Sequence, residues 1–490
     1  MKILKVCGKI LLILLVILFV IMVAVLLFLK FYPSIGTTPD SEMQESFSQK
    51  TELFYDGQFH NENEFSVMTG DVQRTSDRVS PKEMIPSEKS RNIERGEKGS
   101  LSITWYGHSS ALIQLGNQNI FIDPVLSERS SPVGFAGPKR FSEIGLALDD
   151  VPDIDVIFIS HDHYDHLDYK TITAIDEKVQ HYIVPLGVDS YLIGWGIDES
   201  KLHPLNWWES IELNGVTYTL VPSRHYTGRN PLKLNISLWG GVHLADRDHS
   251  VYYTGDGGYY DVFSRVYECF GAVDLMLADS GQYDPGWAAT HMNPSEAVQA
   301  AKDAQARWFI PVHWGAFVLA NHAWDEPPAV ASEVAEQLGV NIATPRIGEK
   351  VDYDQIALFT EHWWEEIETE EQNAMKMNVQ IGNYTFTATL EDNAAVEELL
   401  DMMKEGPVTI QMDDYAGFEK VGALGTSLTT SNRQTTTAAG DIVLYNGNNI
   451  VMFYGSNSWS YTRIGKIDDL SDWEKALGSG SITAVFTLDE

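Results

Sequence analysis

The chain opens on a run with no polar position: every residue from Ile10 to Leu29 is apolar, between Lys9 and Lys30. As a helix rising about 1.5 Å per residue, that run reaches about 30 Å, the thickness of a bilayer's hydrocarbon core. Residues 30–100 lose all periodicity, and "SQKTELFYDGQFHNENE" and "SEKSRNIERGEKGS" read as a loosely structured stalk and lead-in. From Leu101 the pattern changes to short β-rich runs separated by turn residues, as in "LSITWYGHSSALIQLGNQNIFIDPVL". Further on, "PSEAVQAAKDAQ" and "PPAVASEVAEQLG" space their apolar residues as helices do and carry proline near the start. This mixture predicts an α/β domain over residues 101–372, closed by the acid-crowded "EHWWEEIETEEQNAMKMN". A smaller domain over 376–490 follows with strand, helix, strand and a hairpin turning at Asn446-Gly447.

The rival to a membrane anchor is a cleaved signal peptide, whose apolar region is about 7–15 residues long and ends in small residues. Here the run continues into "KFYPSIG", so an uncleaved span over 10–29 is expected. Lys2, Lys5 and Lys9 place residues 1–9 in the cytoplasm and the body outside. A net charge of −35 makes nucleic acid an improbable partner. Of two cysteines, Cys7 lies beside the span and Cys269 alone in the body, so no disulfide can form within the exported part.

The densest chemistry is "VIFISHDHYDHLDY", an apolar strand that runs into three histidines and three aspartates. His161 and His163, two apart in a turn, can face one cation, with Asp165 and His166 on the next bend. Imidazoles with a further ligand suit one Zn²⁺, a carboxylate with an imidazole suits a second, and such crowding makes sense where cations offset the carboxylates.

"HDHYDHLD" resembles the metal motif of the metallo-β-lactamase-fold hydrolases, αββα sandwiches with a dinuclear site along one edge. In that family later strand ends supply further ligands, and "VPSRHYTG", "YYTGDGGY" and "FIPVHWGAF" match those places. The resemblance implies two Zn²⁺, with iron or manganese as possible replacements. It assigns His161, His163 and His225 to one ion, Asp165, His166 and His313 to the other, and Asp256 as the bridge. "WYGHSSALIQL", "GPKRF", "PLNWWE", "THMNPSEAV" and "HWGAFVLANHAWDEPP" are similar to the N-acylphosphatidylethanolamine-hydrolysing phospholipase D branch, and less closely to the ascorbate-phosphate lactonase branch. Gly257 stands where the phospholipase pattern has threonine.

The resemblance implies a membrane-anchored zinc phosphodiesterase acting on N-acylphosphatidylethanolamine-like lipids or other small anionic esters. Zinc ions lower the pKa of bound water to about 7, so hydroxide is available to attack phosphorus. His291 matches a family position near the substrate, suited to bonding the phosphoryl group or protonating the leaving oxygen, and Asp165 is the other residue expected at the chemistry. His108, Asp123 and Arg224 are expected around the metals or in the pocket, and Lys139, Arg140, Arg229 and Lys233 as a local attractive field for an anion. His181, His203, His243, His249 and His322 match no motif position. The segments "TIQMDDYAGFEKVGALG" and "SYTRIGKIDD" resemble cyclophilin-like domains, small closed β-barrels, for which a binding or structural role is expected with no ligand specified. Lactonase chemistry and a non-catalytic metal-binding docking role are the alternatives, and self-association is common in the family.

Overall fold

In the computed structural model, residues 2–76, 78–372, 375–391 and 393–488 are described, without the side chains of 2–13 and 368–372. Lys2, Lys5, Cys7 and Lys9 therefore have no described side chains, while Cys269 is exposed and unpaired. The apolar run forms one helix, Lys2–Phe31. Its Leu14–Phe31 stretch, of mean hydropathy 3.2, is long and apolar enough for a membrane span or a signal sequence. The chain divides into two compact units, Met1–Trp364 and Glu365–Glu490.

The first unit is built on two mixed sheets. One runs in the order Lys350–Asp352, Leu101–Trp105, Ala111–Leu115, Gln118–Ile122, Ile154–Phe158, Val179–Pro185, Leu202–Leu205. The other runs Trp308–Val312, Leu275–Asp279, Ser250–Tyr253, Gly241–Ala245, Val216–Val221, Ser210–Leu213. They face each other: the Phe158 and Tyr253 rings lie 6.3 Å apart, and the Tyr218 hydroxyl donates to Gln118 Oε1 at 2.8 Å. Helices cover the outer faces. Ile172, Ile175, Tyr191 and Leu192 pack on Phe121, Ile157 and Val184 of the first sheet. Val266, Val298, Ala301 and Ala335 pack on Tyr252, Met276 and Phe309 of the second. Central strands such as Ile154–Phe158 are buried at every residue, which is why they read as continuous apolar runs rather than alternating ones. The expected αββα sandwich is thus present.

Residues 33–100 correct the expectation of a loose lead-in. Asp40 caps the helix Ser41–Lys50, whose Phe47 meets Phe54 and Phe59 at ring distances of 5.4 and 5.3 Å. The Gln73 amide donates to the Asp284 carboxylate at 3.0 Å, Arg78 pairs with Asp325 at 2.5 Å, and Arg95 pairs with Asp155. Beyond the helix Ser41–Lys50 and the two-residue strands Phe54–Tyr55 and Gln58–Phe59, the segment is fixed residue by residue against the body, so it carries no sustained periodic signal.

In the second unit eight strands close into a barrel in the order Tyr384–Leu390, Lys376–Ile381, Ile482–Leu488, Val408–Tyr415, Glu419–Ala423, Asn449–Phe453, Asp441–Tyr445, Ser458–Ile467, the last pairing back to the first. Val396, Leu399 and Met403 of the helix Ala394–Glu405 fill its core. The hairpin turns at Asn446 and Gly447, with φ of 52° and 75°, in the three-residue loop between the paired Tyr445 and Asn449.

Candidate metal centre

The strands of both sheets end along one edge, and the polar residues that follow them converge there. His161, His163, Asp165 and His166 follow the strand Ile154–Phe158 in a tight loop, closed by the Leu167 amide donating to the His163 carbonyl at 2.8 Å. Asp162 and Asp168 point elsewhere. Asp162 accepts from the Tyr191 hydroxyl at 2.8 Å and the Gly228 amide at 3.0 Å, and Asp168 caps the helix Tyr169–Ile175. From the second sheet come His225 after Val216–Val221, Asp256 after Ser250–Tyr253 and His313 after Trp308–Val312.

Two donor groups result. Nε2 of His161 and Nε2 of His225 approach Nδ1 of His163 at 2.8 and 3.3 Å. Nε2 of His166 and Nε2 of His313 lie 3.3 Å apart, each 3.4 Å from Asp165 Oδ2. Asp256 Oδ2 stands between the groups, 3.0 and 3.3 Å from His166 and His313, 3.8 and 3.9 Å from His161 and His225. Atoms sharing a tetrahedral cation at about 2.0–2.1 Å are separated by about 3.3 Å, the spacing that recurs here between nitrogens that cannot all donate to one another. Asp256 Oδ1 is buried with no hydrogen-bond partner. An unpartnered carboxylate oxygen among buried imidazoles fits a site that takes cations.

A ring of partners orients these groups. Asp123 accepts from Ser160 N at 2.7 Å, Ser160 Oγ at 2.6 Å, His166 Nδ1 at 2.8 Å and the Tyr253 hydroxyl at 2.7 Å. His225 Nδ1 faces the Thr290 carbonyl at 3.1 Å, and His108 Nε2 meets Asp165 Oδ2 at 2.8 Å. Asp279, absent from the sequence reading, holds His313 Nδ1 at 2.8 Å and His291 Nδ1 at 2.9 Å. Its signal was available: like Asp123, it ends or follows a wholly buried apolar strand. His108, Asp123 and His313 all adopt positive φ (53°, 38° and 71°), a strained backbone for such side chains that the surrounding bonds maintain.

Charge divides the two groups. Burial, reinforced by neighbouring histidines, holds the pKa values of His161 and His225 well below the usual imidazole value; burial also lowers that of His163. Burial opposes a charge on His313 as well, yet Asp256 and Asp279 outweigh it and push its pKa up to about 10. Metal ligands must be unprotonated, so a cation entering beside His313 displaces a proton, whereas one entering beside His161 meets neutral rings. Acidification should therefore strip metal from the His313 group first, with affinity falling about tenfold per pH unit for each proton displaced. Metal content after dialysis over a descending pH series checks this, and simultaneous loss from both groups would contradict it.

A beta-lactamase superfamily domain matches residues 118–314, a span containing the motif loop, His225, Asp256, Asp279 and His313. An uncharacterised protein of Mycobacterium tuberculosis is 38% identical over 267 residues, 54% of this chain and 72% of that protein. The chain belongs to the beta-lactamase superfamily. It is a metal-dependent hydrolase, and the family described as cyclophilin-like matches its residues 379–487. The N-acyl-phosphatidylethanolamine-hydrolyzing phospholipase D 1 of Caenorhabditis elegans is 37% identical over 235 residues, 45% of this chain and 66% of the worm protein. The mitochondrial N-acyl-phosphatidylethanolamine-hydrolyzing phospholipase D of Saccharomyces cerevisiae is 34% identical over 262 residues, 51% and 55% of the two chains.

In this hydrolase a cavity of about 420 Å³ opens on His163, Asp165, Asp256, His291 and His313. Val67, Met68, Tyr164, Tyr226, Trp287 and Leu319 give the rest of it an apolar lining. His291 is held two residues before Asn293, the N-cap of the helix Pro294–Asp303, whose start is fixed by a capping box between Asn293 and Glu296. The expected basic field is corrected. Arg229 is buried and donates to the carbonyls of Ser34, Asp162 and Leu167, tying down the motif loop. Arg140 is buried against the Val125 carbonyl, and Lys233 bonds Thr38 Oγ1. Lys139 is exposed. Arg224 is no part of the cavity wall; its Nε donates to the Ala289 carbonyl at 2.8 Å, docking the loop that carries His291. In a chain of this charge the arginines near the motif serve backbone carbonyls, which a sequence pattern does not distinguish from solvent-facing positions. His181 pairs with His203 at 3.1 Å, His243 stacks on Phe270, His249 faces Asp274, and His322 bonds the Gly281 carbonyl.

Proposed function

We propose that this hydrolase holds two zinc ions, one on His161, His163 and His225, the other on Asp165, His166 and His313, with Asp256 shared. It cleaves the phosphodiester of an N-acylphosphatidylethanolamine-like lipid. The observation that carries the dinuclear reading is the placement of Asp256 Oδ2 within 3.0–3.9 Å of four imidazoles from both groups, with Oδ1 unpartnered. When bound, such ions polarise a phosphoryl oxygen and lower the pKa of water.

The chain's own residues do the rest. Asp279 engages Nδ1 of His291, which leaves Nε2 as the ring nitrogen for substrate at the cavity wall. As water forms its bond to phosphorus and the bond to the head-group oxygen breaks, His291 gives that oxygen its proton, and the proton shed by the water then replaces it on His291. Asp279 then stabilises the arrangement by orienting both His291 and His313. The apolar part of the lining suits the hydrocarbon part of a lipid. The names of the worm and yeast relatives support the lipid substrate. We read the helix Lys2–Phe31 as the anchor, its lysine-bearing end cytoplasmic and the body outside. An anchored enzyme meets lipid at high effective concentration.

The test uses the full-length protein in detergent, assayed for bound metal and for N-acylphosphatidylethanolamine hydrolysis beside His313→Ala. Two ions per chain, with phosphatidic acid formed only by the unmutated protein, is the expected result. Lactone ring opening with no phosphate-ester cleavage would instead favour a lactonase.

A further inference from the structure

His225 lies beyond the end of its strand, where no sheet partner is available for its backbone. Its amide donates to Asn61 Oδ1 at 3.2 Å, and Asn61 Nδ2 donates to its carbonyl at 2.8 Å, so one side-chain amide closes a ring with both backbone groups. Asn61 is 164 positions away, in the segment between the apolar helix and the first sheet. That segment is pinned on both sides of the clamp. The Phe59 amide donates to the Asn235 carbonyl at 2.6 Å, and Glu62 takes both Arg265 Nη atoms at 3.2 and 2.6 Å. Thr69 Oγ1 then donates to the Pro285 carbonyl at 2.9 Å. Between these pins Val67 and Met68 reach the wall of the metal-site cavity.

We propose that Asn61 is a positioning residue of the metal centre: the lead-in completes the hydrolase site by fixing His225, an inference resting on His225 being a metal ligand. The ring of His225 is oriented from one side by the Thr290 carbonyl, and among the described contacts the Asn61 clamp holds the amide and carbonyl of His225 itself, while the Gly258 amide donates to the preceding Arg224 carbonyl at 3.1 Å. Partners of this kind, which hold a ligand in the geometry its cation needs, change metal affinity about 10–100-fold when removed.

The experiment is a Zn²⁺ titration of the metal-free, full-length protein in detergent against a chromophoric chelator. In Asn61→Ala, one of the two ions should be held about tenfold more weakly, the other unchanged. Asn61→Asp, nearly the same in size, should do no better, because a carboxylate cannot donate to the His225 carbonyl. Thr75→Ala, which loses a bond to Asn321 in the same segment, should bind both ions as the unmutated protein does. Wild-type affinity in Asn61→Ala, or its recovery in Asn61→Asp, overturns the proposal, since the second result would reduce Asn61 to a space-filling role. His225→Ala in the same titration separates the two levels. Loss of an ion there with no effect at Asn61 sinks only the clamp, whereas two ions retained there sink the ligation itself.

Discussion

Asp256→Ala should leave fewer than two metal ions per chain and reduce kcat/KM by about 10³-fold or more, the loss expected when several kcal/mol of transition-state stabilisation is removed. Asp256 Oδ2 lies within 3.9 Å of ring nitrogens of His161, His166, His225 and His313 together. Burial opposes its charge, but His166 and His313 hold the carboxyl well below the usual carboxylate range, so it stays ionised. With two ions held as proposed, removing it would take a negative charge from between them and leave their repulsion without a counterweight. The deleted carboxylate also takes away one of the charges that raise the pKa values of His166 and His313, which lessens the competition between protons and metal at that group while Asp165 and Asp279 remain. Occupancy should therefore fall through lost bridging while its pH dependence flattens. Metal content by elemental analysis, with kcat/KM measured across pH, checks both parts. Two ions held at an unchanged rate would remove Asp256 from the centre.

Asp123→Ala should destabilise the first unit by about 4 kcal/mol, whether or not metal is present, because buried donors that lose their acceptor cost roughly 1–3 kcal/mol each and do not add fully. Four donors converge on this fully buried carboxylate, from Ser160 twice, His166 and Tyr253. Three of them belong to the first sheet's motif loop and one to the second sheet, so the change loosens the edge where the sheets meet. For a domain of this size the loss corresponds to a fall in Tm of roughly 10 °C. Asp123→Asn, which retains one acceptor, should fall between. Thermal unfolding of the metal-free protein is the measurement, and a shift below about 2 °C would show that the network is dispensable.

The sequence made the metal side chains legible because ligands cluster where strands end, and "HDHYDHLD" concentrates four of them in one loop. The structure brings all seven assigned residues to one edge, and His291 to the same cavity. Asp279 and Asn61 escaped for different reasons. Asp279 looks like an ordinary strand terminus until His291 and His313, on separate loops, are seen to share it. Asn61 sits in a stretch without periodicity and acts on backbone atoms, which leave no compositional trace. Arg229 was misread for the same reason, since its partners are carbonyls. The two-sheet architecture could be anticipated from buried apolar strands, whereas the docking of residues 33–100 depends on single contacts over large sequence separations.

The division of the donor set between the sheets also bears on when the protein acquires its cation. His161, His163, Asp165 and His166 come from the first sheet, His225, Asp256 and His313 from the second, so a chain whose second sheet has not yet docked presents only the first four together. Tight binding begins when the second sheet docks, because the free energy of binding is then coupled to folding. A cation taken by such a centre is thus bound late, once both sheets have formed and met, and the unfinished chain holds it only weakly.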